Sequence, residues 1–277
     1  MFAGPLAAPA PVSAPSPVDT MPAGNPCALE LAAVSTSGRN GETSLHDLSM
    51  KVHSGEIVGV AGVSGNGQRE LSDVVLGVRA PHRGRKLLWG EDASRWSIAT
   101  VRDKGVASIP DDPLALACVA GLSVRENLAL GTGRRYRTGL AVDWKRLDAD
   151  MALTFTRLAF PRPVFEVPIA TLSGGNLQRV VLVRELAHEP KLIVALYPTR
   201  GLDARSTLAV RALLRSARDA GAAVLIVSED LDELFAVSDR LVVLYRGAIA
   251  GEFGPENFRA EAVGPLMVGA RDHADAA

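Results

Sequence analysis

Residues 171–179 read TLSGGNLQR, and the chain continues as VVLVREL to Leu186. Leu177, Val180, Val181 and Leu186 fall near helical spacing, so a helix is expected from Gly174 to Ala187. Ser173, Gly174 and Gly175 then sit at its first turn. A serine hydroxyl and bare glycine N–H groups at a helix start are suited to a phosphate presented from outside. A Ser-Gly-Gly cap alone is unremarkable. The whole string is more specific than a cap requires.

Upstream, Glu56–Ala61 (EIVGVA) is a short apolar run, as in a strand buried on both faces. The loop Gly62-Val-Ser-Gly-Asn-Gly67 follows, then a helical stretch from Gln68 to Leu76. Glycines there let backbone N–H groups turn inward around phosphate oxygens, and Ser64, Gly65, Asn66, Gly67 and Gln68 are the candidate contacts. The full pattern GxxxxGK[ST] needs Lys and then Ser or Thr. This chain has Gln68, a neutral donor, and Arg69, which cannot ligate a cation. Taken alone, the loop reads equally as a tight glycine turn without a ligand.

Further buried strands are expected at Val106–Ile109, Lys191–Leu196 and Ala223–Val227, with helices at Ser123–Leu130, Leu208–Ala220 and Leu231–Val237. Ser123-Val-Arg-Glu126 has the form of a capping box. Arg240–Phe253 reads as a hairpin turning at Arg246-Gly247, and 28–54 as a hairpin turning at Gly38–Gly41. Strands alternating with helices argue for a parallel or mixed sheet, interrupted by a helical lobe at about 111–189. Residues 1–27 form an Ala/Pro-rich linker, expected to be disordered, and 271–277 a tail.

Hydrophobic residues make up 47% of the 277, enough for a sizeable core. Lys and Arg number 30 against 31 Asp and Glu, so charge gives no argument for nucleic acid. The basic clusters at Arg83–Lys86 and Arg134–Arg137 read as solvated faces. Cys27 and Cys118 lack zinc spacing. The chain has no long apolar run and no basic region leading its N-terminus, so a cytoplasmic protein is expected, with any membrane spans supplied by others.

LSGGNLQRVVLVREL resembles the ABC transporter ATPase family, and the resemblance runs from residue 28 to about 270. Glu56–Arg69 is similar to the Walker A region, Leu192–Thr199 to the Walker B strand, Arg200–Asp203 to the D-loop, and Ile226–Glu233 to the switch segment. GVSGNGQREL, SVRENL, PTRGLD and SEDLDEL are most similar to the second nucleotide-binding half of simple-sugar and nucleoside importers. The resemblance implies an α/β P-loop NTPase core with a mixed sheet, an antiparallel β subdomain and an inserted helical subdomain. It implies ATP as ligand, a second nucleotide-binding subunit or half, transmembrane permease subunits docking near Ser123–Leu130, a solute-binding protein indirectly, and a place on the inner face of the cell membrane.

Departures from the family pattern cluster in one place. Leu196 and Tyr197 stand where a Mg²⁺ carboxylate and a water-positioning Glu are implied. Pro110-Asp111 replaces the Q-loop Gln, and Glu229 the switch His. No clear aromatic precedes the loop to stack on adenine. In the family two subunits meet head to tail, so Ser173, Gly174, Gly175 and Asp203 would serve the partner's nucleotide, where Mg²⁺ would also act. The departures fit either drift in a dead site or a regulated, non-hydrolytic one. Besides a transport subunit, an ATP-sensing scaffold or a remnant of a fused two-half ATPase fits the same string.

Overall fold

The computed structural model describes residues 25–38, 43–132 and 135–270. The chain opens with β1 (Cys27–Ser35), β2 (Leu48–His53) and β3 (Ile57–Ala61), then α1 (Gln68–Leu76), β4 (Arg83–Leu88), β5 (Glu91–Asp92), α2 (Ile98–Asp103) and β6 (Val106–Ile109). The lobe contains α3 (Pro113–Ala117), α4 (Val124–Ala129), β7 (Arg137–Thr138), β8 (Ala141–Val142), α5 (Trp144–Arg157) and α6 (Gly174–Leu186). The chain continues through β9 (Leu192–Leu196), α7 (Ala204–Asp219), β10 (Ala223–Ser228), α8 (Leu231–Val237), β11 (Arg240–Tyr245), β12 (Ala248–Phe253) and α9 (Ala260–Met267).

Among the described residues, one sheet has six strands in the order β12-β11-β3-β10-β9-β6. All its pairs are parallel except β11 with β12. The apolar strand runs explain themselves by alternation. Ile57, Ile193, Ala195, Val224 and Ile226 face the helical lobe, with Leu147, Met151, Phe155 and Val181 in the same cluster. Val58, Val60, Val194, Leu225 and Val227 face Leu71 and Val75 of α1 and the second sheet. A strand covered on both faces must be apolar at every position.

The second sheet, β2-β1-β4-β5, is antiparallel. The expected hairpin is its β1–β2 pair, with Glu30 opposite Lys51, and most of the expected turn lies outside the described residues. β1 starts at Cys27, inside the stretch read as linker; residues 1–24 and 271–277 also lie outside the described residues. Helix α7 begins at Ala204, four residues before the expected start, because the Asp203 carboxylate caps it by accepting from Ser206 N. The lobe is not wholly helical: β7 and β8 pair antiparallel within it.

Arg83 and Arg85 are exposed, as a solvated face requires, but Lys86 departs from that expectation. The run belongs to β4, and Lys86 is fully buried. Lys86 Nζ donates to Val74 O at 2.9 Å and Val75 O at 3.3 Å, where the last turn of α1 leaves carbonyls free and partial negative charge gathers. The second cluster does read as exposed at Arg135 and Arg137, while Arg134 lies outside the described residues. A second buried cation, Arg240, ties the sheets together. Its Nε meets Glu56 Oε1 at 2.9 Å, its Nη1 meets Glu252 Oε2 at 3.2 Å, and its Nη2 donates to Lys51 O.

Burial pulls the Lys86 ammonium from an ordinary 10.5 down to about 8. Between these values the unfolded chain holds a proton that the native chain does not, so native stability rises with pH across the window and that gain is absent below it. Wild type should therefore gain melting temperature relative to Lys86→Met on going from about pH 7.5 to about pH 10. Calorimetric melting of both proteins at the two pH values checks this; a constant difference would place the titration elsewhere.

Candidate functional site

The candidate residues converge because β3, β6, β9 and β10 end together. Parallel register sets Ala61 beside Ser228, Leu196 beside Val227 and Ile109 beside Ala195. The loops that leave these carboxyl ends carry Gly62–Gly67, Asp111, Tyr197 and Glu229. Such strand ends are where open α/β sheets bind ligands.

The glycine loop is braced from outside. Gly67 caps α1 with φ 107°, a left-handed conformation, and a Cβ on it would lie 3.1 Å from Gly247 Cα. Asn66 O accepts from Gly247 N at 2.8 Å, and Asn66 Oδ1 from Arg246 N at 2.9 Å. The β11–β12 turn thus presses on the loop at Gly67, while a Cβ on Gly247 would collide with Ser44 O.

Gln68 behaves differently from the sequence expectation. It is 3% exposed, and its amide folds back into the loop. Oε1 accepts from Asn66 N at 3.0 Å and Nε2 donates to Val63 O at 2.9 Å. The side chain therefore is not a donor held out for phosphate, and the Asn66 N–H already has a partner. Arg69 is exposed and lines a cavity of about 640 Å³ together with Leu196 and Asp111.

The departures from the family pattern meet at Tyr197. Its backbone is left-handed, φ 46°, held by Tyr197 N donating to Val227 O at 2.8 Å and by Arg200 N donating to Tyr197 O at 3.0 Å. Burial pushes the Tyr197 phenol up; the nearby Ser64 side chain opposes this, while the Glu229 and Asp111 carboxylates add to it. Asp111 Oδ1 is buried without a protein partner. The Mg²⁺ that the resemblance implies does not fit this loop. Leu196 is 6% exposed and offers no oxygen, and Arg69 brings a cation where a hydroxyl ligand is implied.

The other edge keeps the implied chemistry. Ser173 caps α6, accepting from Asn176 N at 3.4 Å, and Ser173 and Gly174 are exposed. A Cβ built on Gly174 meets nothing within 4 Å. Asp203 lies exposed on the adjoining turn, and its bonds from Ser206 N–H and hydroxyl hold its carboxyl below the ordinary carboxylate range. Beneath this edge run contacts to which sequence reasoning gave no role. Gln178 Nε2 donates to Pro198 O at 3.2 Å, and buried Glu233 accepts from Thr199 Oγ1 at 2.6 Å and Ser228 Oγ at 2.7 Å. All four side chains lie inside the quoted motifs, but only the fold shows what they touch.

The Ser123–Glu126 capping box forms with both bonds. Val124, Asn127 and Leu128 are fully buried, while Arg125, Glu126 and Ala129 are partly exposed. Exposed apolar side chains in the neighbouring 114–119 segment are Leu114, Leu116 and Val119, of which Leu116 and Val119 line the 640 Å³ cavity. No helix among the described residues is long and apolar enough to cross a membrane.

Comparison with known proteins agrees with this geometry. The chain is 37% identical over 249 residues to the glucose import ATP-binding protein TsgD13 of Haloferax volcanii, covering 88% of this chain and 45% of that protein. It is 33% identical over 245 residues to the nucleoside import ATP-binding protein NupA of Lactococcus lactis, covering 87% and 48%. The chain thus spans about half the length of the curated relatives it matches. A solved nucleotide-free ATP-binding cassette from an ABC transporter superposes with TM-score 0.73 at 21% identity, over 88% of this chain and 98% of that one. The ABC transporter family matches residues 45–199, from just before β2 through the glycine loop and the LSGGN helix to the end of the Walker B segment, and this chain therefore belongs to the ABC transporter family.

Proposed function

We propose that this chain is an ATP-binding subunit, or half, of an importer for a sugar or nucleoside, and that it serves mainly to complete a partner's nucleotide site. The acting unit is residues 28–270, with its helical lobe at 111–189. The observation that carries the reading is the contrast between its two edges. The glycine loop is closed by Gln68 and Tyr197 and has no Mg²⁺ ligand at Leu196. The Ser173-Gly174-Gly175 edge and Asp203 stand open. Backbone donors at a helix N-terminus, fixed before the reaction, stabilise charge as it develops on a phosphate offered from outside.

The solute class comes from the relatives, which are named for glucose, ribose and nucleoside import. Partners are a second nucleotide-binding subunit or half, the transmembrane permease and, indirectly, a solute-binding protein; nucleic acid has no role. The exposed apolar side chains of Leu114, Leu116 and Val119 suit a short permease helix. Such an assembly places the chain peripherally on the cytoplasmic face of the cell membrane.

The purified chain should hydrolyse ATP at background, and turnover that survives further purification yet disappears in Gly67→Ala would contradict this. Nucleotide affinity should be weak, about 0.1–1 mM or roughly −4 to −5.5 kcal/mol, and nearly indifferent to Mg²⁺. Titration calorimetry with and without the cation measures it, and tight, strictly Mg²⁺-dependent binding would remove the argument from Leu196. In the assembled transporter, Gly174→Asp should cut ATP turnover by about 10²–10³. Open space around Gly174 makes this a surface effect rather than a folding one. Gln68→Lys should change little, since Leu196 and Tyr197 still supply no carboxylate. The reverse ranking of these two variants would make this chain's own loop the working site.

A further inference from the structure

The exposed edge has a design problem. Its phosphate-facing turn is Gly174-Gly175, which has no side chains to hold it against the Asp203 turn. A Cβ on Gly175 would meet only Leu202, at 3.7 Å. Two helices, α6 and α7, also bring their N-termini together here, with like partial charges. Whatever fixes one turn against the other must come from side chains one turn further in.

Arg179 is in that position. Asn176 and Arg179 are three residues apart on α6, so they share a face. Arg179 Nη1 donates to Asn176 Oδ1 at 2.9 Å, and Nη2 donates to Ser206 Oγ. The same Nη2 lies 3.8 Å from Asp203 Oδ2. Ser206 is buried and donates its hydroxyl to Asp203 Oδ2 at 3.0 Å, while Asp203 Oδ1 accepts from Ser206 N at 2.8 Å. The guanidinium packs over the Phe160 ring, 5.9 Å from its centroid, and its side chain is 20% exposed. A planar fork with fixed donors holds two acceptors on separate elements in a set geometry, which the rotatable donors of an ammonium do not impose.

We propose that Arg179 is a positioning residue that locks the Ser173-Gly174-Gly175 turn to the Asp203 turn, so that both are presented to the partner's nucleotide as one rigid edge. It touches no nucleotide itself. It acts through Asn176, which stands against the Ser173 cap, and through Ser206, which aims Asp203. The inference rests on the helper reading above for its function, but its structural half belongs to this chain alone.

The test compares wild type, Arg179→Ala and Arg179→Lys. In the full chain, amide exchange at Asn176 and Ser206 should accelerate together in Arg179→Ala, with β3 and β10 amides unchanged. The Asp203 carboxyl, followed by carbon NMR, should titrate higher in Arg179→Ala, and Arg179→Lys should recover part of that shift but not the exchange protection. In the assembled transporter, Arg179→Ala should lower kcat by roughly tenfold with the ATP KM little changed, the loss of one charge-assisted positioning bond. Wild-type exchange at both amides, or a change at only one, overturns the lock. If Gly174→Asp abolishes turnover while Arg179→Ala leaves it intact, the positioning role falls and the helper reading stands. If Gly174→Asp is harmless, the helper reading falls and takes the presenting role with it.

Discussion

The parallel register of β6, β9, β10 and β3 is the constraint on which the rest depends. These strands are buried on both faces, so they are apolar apart from Ser108 and Ser228, and none can slip without dragging its neighbours. Their ends bring Gly62–Gly67, Asp111, Tyr197 and Glu229 within reach of one another although nearly 170 residues separate the first from the last. The buried Arg240 pair with Glu56 and Glu252 pins the β3 start to β11 and β12. The β11–β12 turn in turn supports Asn66 and Gly67. Removing one partner of such a buried pair leaves an uncompensated charge, so it fixes geometry more than it adds stability.

Charge and shape at the glycine loop have moved in the same direction. Where the family pattern implies Lys, Mg²⁺ and His, this chain has a neutral amide, an apolar side chain and two carboxylates near one phenol. The neutral amide is satisfied within the loop. The loop therefore keeps its shape from protein contacts and does not depend on an anion to hold it.

At the opposite edge the same elements keep their surfaces bare. Gly174 has open space around it, and Gln178, Arg179 and Ser206 make their contacts behind that edge. The division is physical: groups that approach a ligand must be small and exposed, and the side chains that hold them must sit one turn deeper. Thr199, Glu233 and Ser228 extend this support toward the end of β10.

Local pattern alone located the strands, expected at 106–109, 191–196 and 223–227 and each found within a residue of those bounds, helices α1, α6 and α8, the β11–β12 hairpin and the LSGGN cap, because burial on both faces, helical spacing and turn chemistry are all written in short windows. Leu196, Tyr197, Asp111 and Glu229 stand out only against the pattern of the family the chain resembles. The partners of side chains were not legible. Arg83–Lys86 looks like a solvated basic run, yet β1 pairs with β4 across some fifty residues and buries Lys86 under the end of α1. Gln68 looks like a free donor until the loop's curvature puts Val63 O and Asn66 N within its reach. Which side chains of α4 stay accessible is likewise a matter of packing, which buries Val124, Asn127 and Leu128 and leaves Arg125 and Glu126 partly exposed. Sequence fixes which groups a chain carries and how its backbone runs locally; only the closing of distant segments against each other decides which of those groups remain free.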